Sequence, residues 1–307
     1  MATFHIEPDE NTLHGFFSRD LKPILEIDSG DMVHFKTIEA EWGLENFSAT
    51  LIDPKVGPPP RKMAETNIEG PRGHALCGPV FIRGAEPGMT LAIHIDSIRT
   101  GTWGWTIGGK SEAGEALHLW DLDPDQLHGR NHLGHQVKLR PFMGVMGMPP
   151  AEAGQHSTQP PRTTGGNIDC KELVAGTILY LPIAVPGGLF STGDGHALQG
   201  DGEVSNTAIE CPMEDAQLTF HLHPDLTIPT PRAWTPTCWL TFGFDPSLNI
   251  AARTALDAML DLMVEQKSVM RADALALASI VVDLRVTQIA NKVLGVHAVL
   301  AHDAWKG

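Results

Sequence analysis

The chain has 307 residues, 42% of them hydrophobic and 19% charged, with a formal net charge of −15. This composition gives a globular protein rather than a disordered one and leaves enough chain for one large domain or two closely packed ones. The acidic balance, with no Lys/Arg-dense stretch, excludes a nucleic-acid-binding surface, and no apolar run is long enough to span a bilayer.

The 31 glycines and 23 prolines predict many turns, and the first 245 residues read as strands. Pro23–Phe35 is two β-prone runs around a Ser-Gly-Asp turn. In Pro79–Ile98 a β-run and a Glu-Pro-Gly turn precede Leu91, Ile93 and Ile95, which alternate with Ala92, His94 and Asp96. That period of two is a half-buried strand with the polar residues facing away from the aliphatics. Val137–Met148, Thr177–Val185, Thr207–Pro212, Ala216–Pro224 and Cys238–Phe244 are further predicted strands. Long polar segments, Asp53–His74, residues 100–136 and Pro149–Asn167, read as loops of the length that tends to carry function. Leu248–Gln266 changes period: Ile250, Ala251, Leu256, Met259, Leu260 and Met263 lie on one helical face. A second helix fits Arg271–Ile280, and the chain then returns to β-branched residues. The expectation is a mainly β protein, with a β-rich body over 1–245 carrying the site and a small α+β C-terminal portion over 246–307.

The four cysteines, Cys77, Cys170, Cys211 and Cys238, form no CxxC pair and are expected to be reduced thiols. The opening MATFHIEPDE lacks a basic region followed by an apolar core, so a cytoplasmic setting is expected.

Gly193–Val204, GDGHALQGDGEV, holds three carboxylates and an imidazole among four glycines. Asp194/His196 and Asp201/Glu203 are each two apart, so on extended chain both members of a pair share a side. A mixed Asp/His/Glu set suits Zn2+ or another borderline divalent ion; a solvated hairpin loop explains the same composition. Thr163–Lys171, TTGGNIDCK, presents Asn167 and Asp169 in the same spacing, and Cys170 is a conceivable nucleophile that lacks a local His partner. His128, His132 and His135, interrupted by glycines, read as a polar loop. There is no GxSxG elbow and no HExxH.

GPVFIRGAEPGMTLAIHI, GGNIDCKELVAGTILYLPIAVPGGLFSTGDGHALQGDGEVSNTAIE and SIVVDLRVTQIANKVLGVHAVL together resemble the acetamidase/formamidase family over about residues 20–300. One departure is Met89, where the family usually has Asp after Pro-Gly. The resemblance implies a jelly-roll-like β-sandwich with an α+β portion, and hydrolysis of small linear amides, or of lactams, to ammonia or an amine and the acid. The family's polar positions fall on Asn167, Asp169, Asp194, His196, Asp201 and Glu203. The roles that follow are Asp194, His196 and Asp201 as metal ligands, with Zn2+ first and Ca2+ second in order of expectation. Asp169 becomes a further ligand or the partner that orients His196, Glu203 the proton carrier, and Asn167 a donor to the substrate carbonyl. The alternatives are covalent catalysis through Cys170 and a non-catalytic sandwich holding structural Ca2+. The expected partners are a small-molecule amide and a second copy of the chain in a homodimer.

Overall fold

The computed structural model describes residues 1–48, 59–111 and 114–304. Two sheets dominate. A nine-stranded sheet runs in the order Thr3–Ile6, Met32–Thr37, Met213–His223, Thr90–Thr100, Ile178–Pro182, Arg232–Trp234, Cys238–Asp245, Leu294–Ala301 and Val282–Gln288. A six-stranded sheet runs Gly165–Asn167, Phe142–Gly147, Phe190–His196, Leu76–Ile82 and Leu13–His14, with Leu25–Ile27 parallel to Leu76–Ile82. Neighbouring strands are otherwise mostly antiparallel, as expected where sheets bury one face and wet the other.

The two sheets meet through their apolar faces. Val33, Phe35, Leu91, Ile93, Leu179, Leu181, Leu218 and Phe220 of the first pack in one core with Cys77, Val80, Ile82, Met143 and Phe190 of the second. Phe190 makes edge contacts with Phe35 at 6.2 Å and Phe220 at 5.0 Å, so one ring bridges both layers. This is a β-sandwich.

The helices occupy Leu248–Lys267 and Arg271–Val281. The first lays Ala251, Ala255, Met259 and Met263 against Val296, Ala298 and Leu300 of the sheet. Gly243 allows this approach: a Cβ there would sit 2.0 Å from the Ala251 carbonyl oxygen. The sheet is continuous across residue 245, because Cys238–Asp245 pairs with Leu294–Ala301 residue by residue.

Three segments differ from the reading of the sequence. Residues 100–136 form strands rather than a loop: Trp103–Ser111, Gly114–Asp123, His128–Asn131 and Gln136–Lys138 make a four-stranded sheet. The cause is alternation, since Trp105 pairs with Leu119 and Ile107 with Leu117, while Trp105 and Leu117 pack on Phe47. Thr207–Pro212 is not a strand; only Glu210 makes bridges, to Trp105 and to His196. Gly193–His196 is not a surface turn but the buried end of the Phe190–His196 strand. Its glycines serve packing, for a Cβ on Gly193 would lie 2.2 Å from the Ala75 carbonyl oxygen. Residues 53–58 of the expected Asp53–His74 loop lie outside the described residues.

Among the described residues no helix is long and apolar enough to cross a membrane. All four cysteines are buried and free.

Candidate active site

Four segments converge at one end of the six-stranded sheet. The Phe190–His196 strand supplies Asp194 and His196, and the turn after Gly165–Asn167 supplies Asp169. The loop after His196 supplies Glu203, and Glu210 arrives on the bridging segment. All five are buried. His196 Nε2 lies 3.2 Å from Asp194 Oδ1 and 3.3 Å from Glu210 Oε2. On the other side of the ring, His196 Nδ1 is 4.0 Å from Asp169 Oδ1. Two groups of potential ligand atoms therefore share this imidazole: Asp194–His196–Glu210 and Asp169–His196–Glu203.

The backbone is bent to make this possible. Asp169, Asp194 and Glu203 all have positive φ, at 51°, 58° and 44°. Non-glycine residues rarely take this region, and the cost of about 1–3 kcal/mol each is borne where surrounding structure enforces it, commonly at functional sites. Packing leaves no slack opposite them. A Cβ on Gly144 would sit 2.6 Å from Asp194 Oδ2 and 2.8 Å from both Asp169 Oδ1 and His196 Cε1, so only glycine fits the floor of the site.

Four carboxylates around one imidazole, away from water, distort every ionisation. Burial raises Asp169 well above the usual carboxylate range, and the charges of Glu203 and Asp194 push the same way. Burial raises Glu203 to about 8, with His196 opposing and Glu210 adding. Glu210 is also raised by burial. Burial works against a charged His196, but Glu210 and Asp194 outweigh it and hold the imidazolium well above its ordinary range. Asp194 goes the other way: burial would raise it, yet His196 and His74 keep it below the ordinary value.

Several buried polar atoms here have no hydrogen-bond partner: both Asp169 oxygens, His196 Nδ1, Glu203 Oε2, Glu210 Oε2, Asn167 Oδ1 and His74 Nδ1. A buried polar group left alone costs about 1–3 kcal/mol, and so many together mark a place for a ligand. The donor set fits a divalent cation: one imidazole and carboxylates converging from several segments. The His196–Asp194 and His196–Glu210 separations match the spacing of about 3.3 Å between ligand atoms on a tetrahedral zinc with bonds of about 2.0–2.1 Å.

The cluster opens into a cleft of about 320 Å3 lined by Asp194, Glu203, Glu210, Asn167, His74 and Trp105, with Asn291 and Lys292 at its rim. Asn167 Nδ2 donates to the Gln159 carbonyl at 3.1 Å, which leaves its amide oxygen as the free group. Behind Trp105, Glu39 accepts from its Nε1 at 2.9 Å and pairs with Arg61 Nη2 at 2.9 Å. The Glu203 loop is stitched to the end of the Val282–Gln288 strand: Gly202 N donates to the Thr287 carbonyl and Ile289 N to the Gly202 carbonyl.

Of the residues singled out in the sequence, Asn167, Asp169, Asp194, His196 and Glu203 come together here. Asp201 does not; it faces outward and pairs with Lys171 Nζ at 2.9 Å. The reason is local: Gly202 at φ 95° and Glu203 at φ 44° break the extended geometry that would place residues 201 and 203 on one side. Glu210 takes the place beside His196 instead; its only signal in the sequence was a place at the end of the carboxylate-rich block. Cys170 points elsewhere, its thiol donating to Glu172 Oε2 at 3.3 Å, and burial raises its pKa well above the ordinary thiol value, against a nucleophilic thiolate. His132 and His135 lie in the turn following His128–Asn131, outside the cleft.

The fold and this centre define a β-sandwich protein with a buried carboxylate–imidazole cluster at the floor of a polar cleft. Residues 151–228, which hold all five clustered side chains, match the model of the Acetamidase/Formamidase family. It is 25% identical over 259 residues to "Putative formamidase C869.04" of Schizosaccharomyces pombe, a match covering 64% of this chain and 60% of that protein. The formamidase of Methylophilus methylotrophus is 50% identical over a 48-residue stretch, 12% of its length. The crystal structure of an acetamidase from Bacillus halodurans superposes with a TM-score of 0.83 at 27% identity over 97% of each chain.

Proposed function

We propose that the chain hydrolyses small amides to ammonia, or an amine, and the carboxylic acid, with a divalent metal ion, zinc by the chemistry of the donors, held by Asp194, His196 Nε2 and Glu210. The observation that carries this is one imidazole nitrogen at 3.2 and 3.3 Å from two buried carboxylates on the wall of a cleft. When bound, the ion supplies Lewis acidity toward the amide carbonyl and lowers the pKa of a water. Asp169, on the Nδ1 side of His196, holds the ring in orientation.

Glu203 moves the proton. Its Oε2 is buried without a partner on the cleft, and a carboxyl poised at about 8 exchanges protons near neutrality. As water adds to the carbonyl carbon, Glu203 Oε2 takes its proton; as the C–N bond breaks, the same oxygen returns it to the leaving nitrogen. Asn167 Oδ1 accepts an N–H of the substrate amide, which orients the leaving group. This role, in place of the expected donor role, is supported by the bond of its NH2 to Gln159 and by the unpartnered Oδ1. His74 Nδ1 offers a hydrogen bond to the carbonyl oxygen as it gains charge.

The test is metal analysis of protein purified without chelators, with ammonia release from formamide and acetamide on the same sample. At least one zinc per chain, and activity lost on chelation and regained with Zn2+, is the expected result. Full turnover in metal-free protein overturns the ion's role, and no ammonia from any small amide overturns the reaction.

A further inference from the structure

A second group of metal-binding side chains lies beyond the proposed reaction centre. Cys170, Glu172 and His297 are all buried, and their Sγ, carboxylate and imidazole atoms lie within 4.8 Å of one another. Glu172 Oε2 faces inward, 3.3 Å from Cys170 Sγ and 3.7 Å from His297 Nε2. Its other oxygen faces outward to Arg285 Nη1 at 3.3 Å. His297 Nδ1 is bonded to Thr287 Oγ1 at 2.8 Å, and His297 Nε2, on a ring with no exposed surface, has no hydrogen-bond partner.

This is how a ligating histidine is held: one nitrogen tied to a neighbour, the other aimed at the ion. With His297 Nδ1–H donating to Thr287 Oγ1, the lone pairs of His297 Nε2, Glu172 Oε2 and Cys170 Sγ converge, with a single thiol proton among them. A cation resolves this arrangement better than hydrogen bonds do. Ligand atoms on a tetrahedral zinc are about 3.3–3.6 Å apart, given bonds of about 2.0–2.3 Å, and the two separations from Glu172 Oε2, 3.3 and 3.7 Å, are close to that spacing. A thiolate beside an imidazole and a carboxylate selects Zn2+ or a similar thiophilic ion over Ca2+ or Mg2+.

We propose that Cys170, Glu172 and His297 bind a structural zinc ion, distinct from the ion of the proposed reaction centre. Binding breaks the Cys170 S–H bond, forms a sulfur–metal bond and releases one proton to solvent. Cys170 and Glu172 belong to the turn that also carries Asp169, and His297 to the Leu294–Ala301 strand. The ion would therefore fasten that strand of the sheet to the backbone that positions Asp169.

Cobalt substitution separates this site from the first, whose residues include no sulfur. Metal-free protein titrated with Co2+ should develop a thiolate-to-cobalt charge-transfer band in the near ultraviolet. Cys170→Ser should lose the band and bind one Co2+ fewer per chain, and His297→Gln should bind it more weakly. Asp194→Asn should keep the band while losing ammonia release. Folded wild-type protein saturated with Co2+ but showing no such band overturns the proposal, even if Cys170→Ser fails to fold. So does a band that survives in Cys170→Ser.

Discussion

His196 and Glu210 are joined twice, by a backbone bridge and by a 3.3 Å contact between imidazole and carboxylate. A 14-residue separation in sequence thus becomes a direct pairing in the site, and Glu210, rather than Asp201, completes the set around His196. Glu210→Gln is expected to lower metal affinity and amidase activity by at least about 10–100-fold, the effect of losing even an outer partner of a metal site. Asp201→Asn removes only a half-exposed pair with Lys171, worth at most about 1 kcal/mol, and should leave turnover near normal. Ammonia release and zinc content of the two variants, side by side, test the assignment.

The raised Glu203 makes the stability of metal-free protein depend on pH. The folded chain binds the Glu203 proton up to about pH 8, and the unfolded chain releases it near the ordinary value of 4.5. Between those limits the folded state holds more protons, so this group's contribution is fully present at low pH and is lost as pH rises toward 8. Thermal melts of chelated protein across that window should fall with pH, and Glu203→Gln should flatten the slope. A wild-type slope unchanged by Glu203→Gln counts against the assignment.

Gly144→Ala puts a methyl against Asp194, Asp169 and His196. Overpacking of this kind costs about 1–3 kcal/mol, and here the atoms that must move are the proposed ligands. Loss of metal binding beyond what the drop in melting temperature explains is the expected outcome, read by zinc content at a temperature where the variant is folded.

Glu39→Ala leaves Arg61 buried without its carboxylate and frees the indole N–H of Trp105 behind the cleft. Removing one partner of a buried ion pair costs about 3–5 kcal/mol. Chemical denaturation should show that loss. Glu39→Gln, which can still accept from Trp105, should show less.

The β-sandwich was legible because its strands alternate cleanly, as Leu91, Ile93 and Ile95 do. The helices were legible from their change of period at Leu248. The Trp103–Asp123 hairpin was missed although its residues alternate, because glycines and polar residues around it read as loop. At the site, the two Gly-flanked segments were visible, but the direction of each side chain was not. Asp194 and His196 meet as their spacing predicts, whereas Gly202 and Glu203 sit on left-handed backbone, where the rule that residues two apart share a side fails for Asp201 and Glu203. Glu210 carried no periodic signal; what places it is a tertiary bridge to His196 and Trp105. Asn167 was found, and its NH2 donates to Gln159, which lies on a loop that periodicity does not orient.

The stitching of the Glu203 loop to Thr287 and Ile289 has a consequence for the order of assembly. Asp169, Asp194, His196 and Glu210 are all synthesised well before the strand that steadies Glu203 and the rim residues Asn291 and Lys292. The loop that holds Glu203, the proposed proton carrier, therefore gains these two backbone bonds only when the Val282–Gln288 strand has docked at the edge of the sheet.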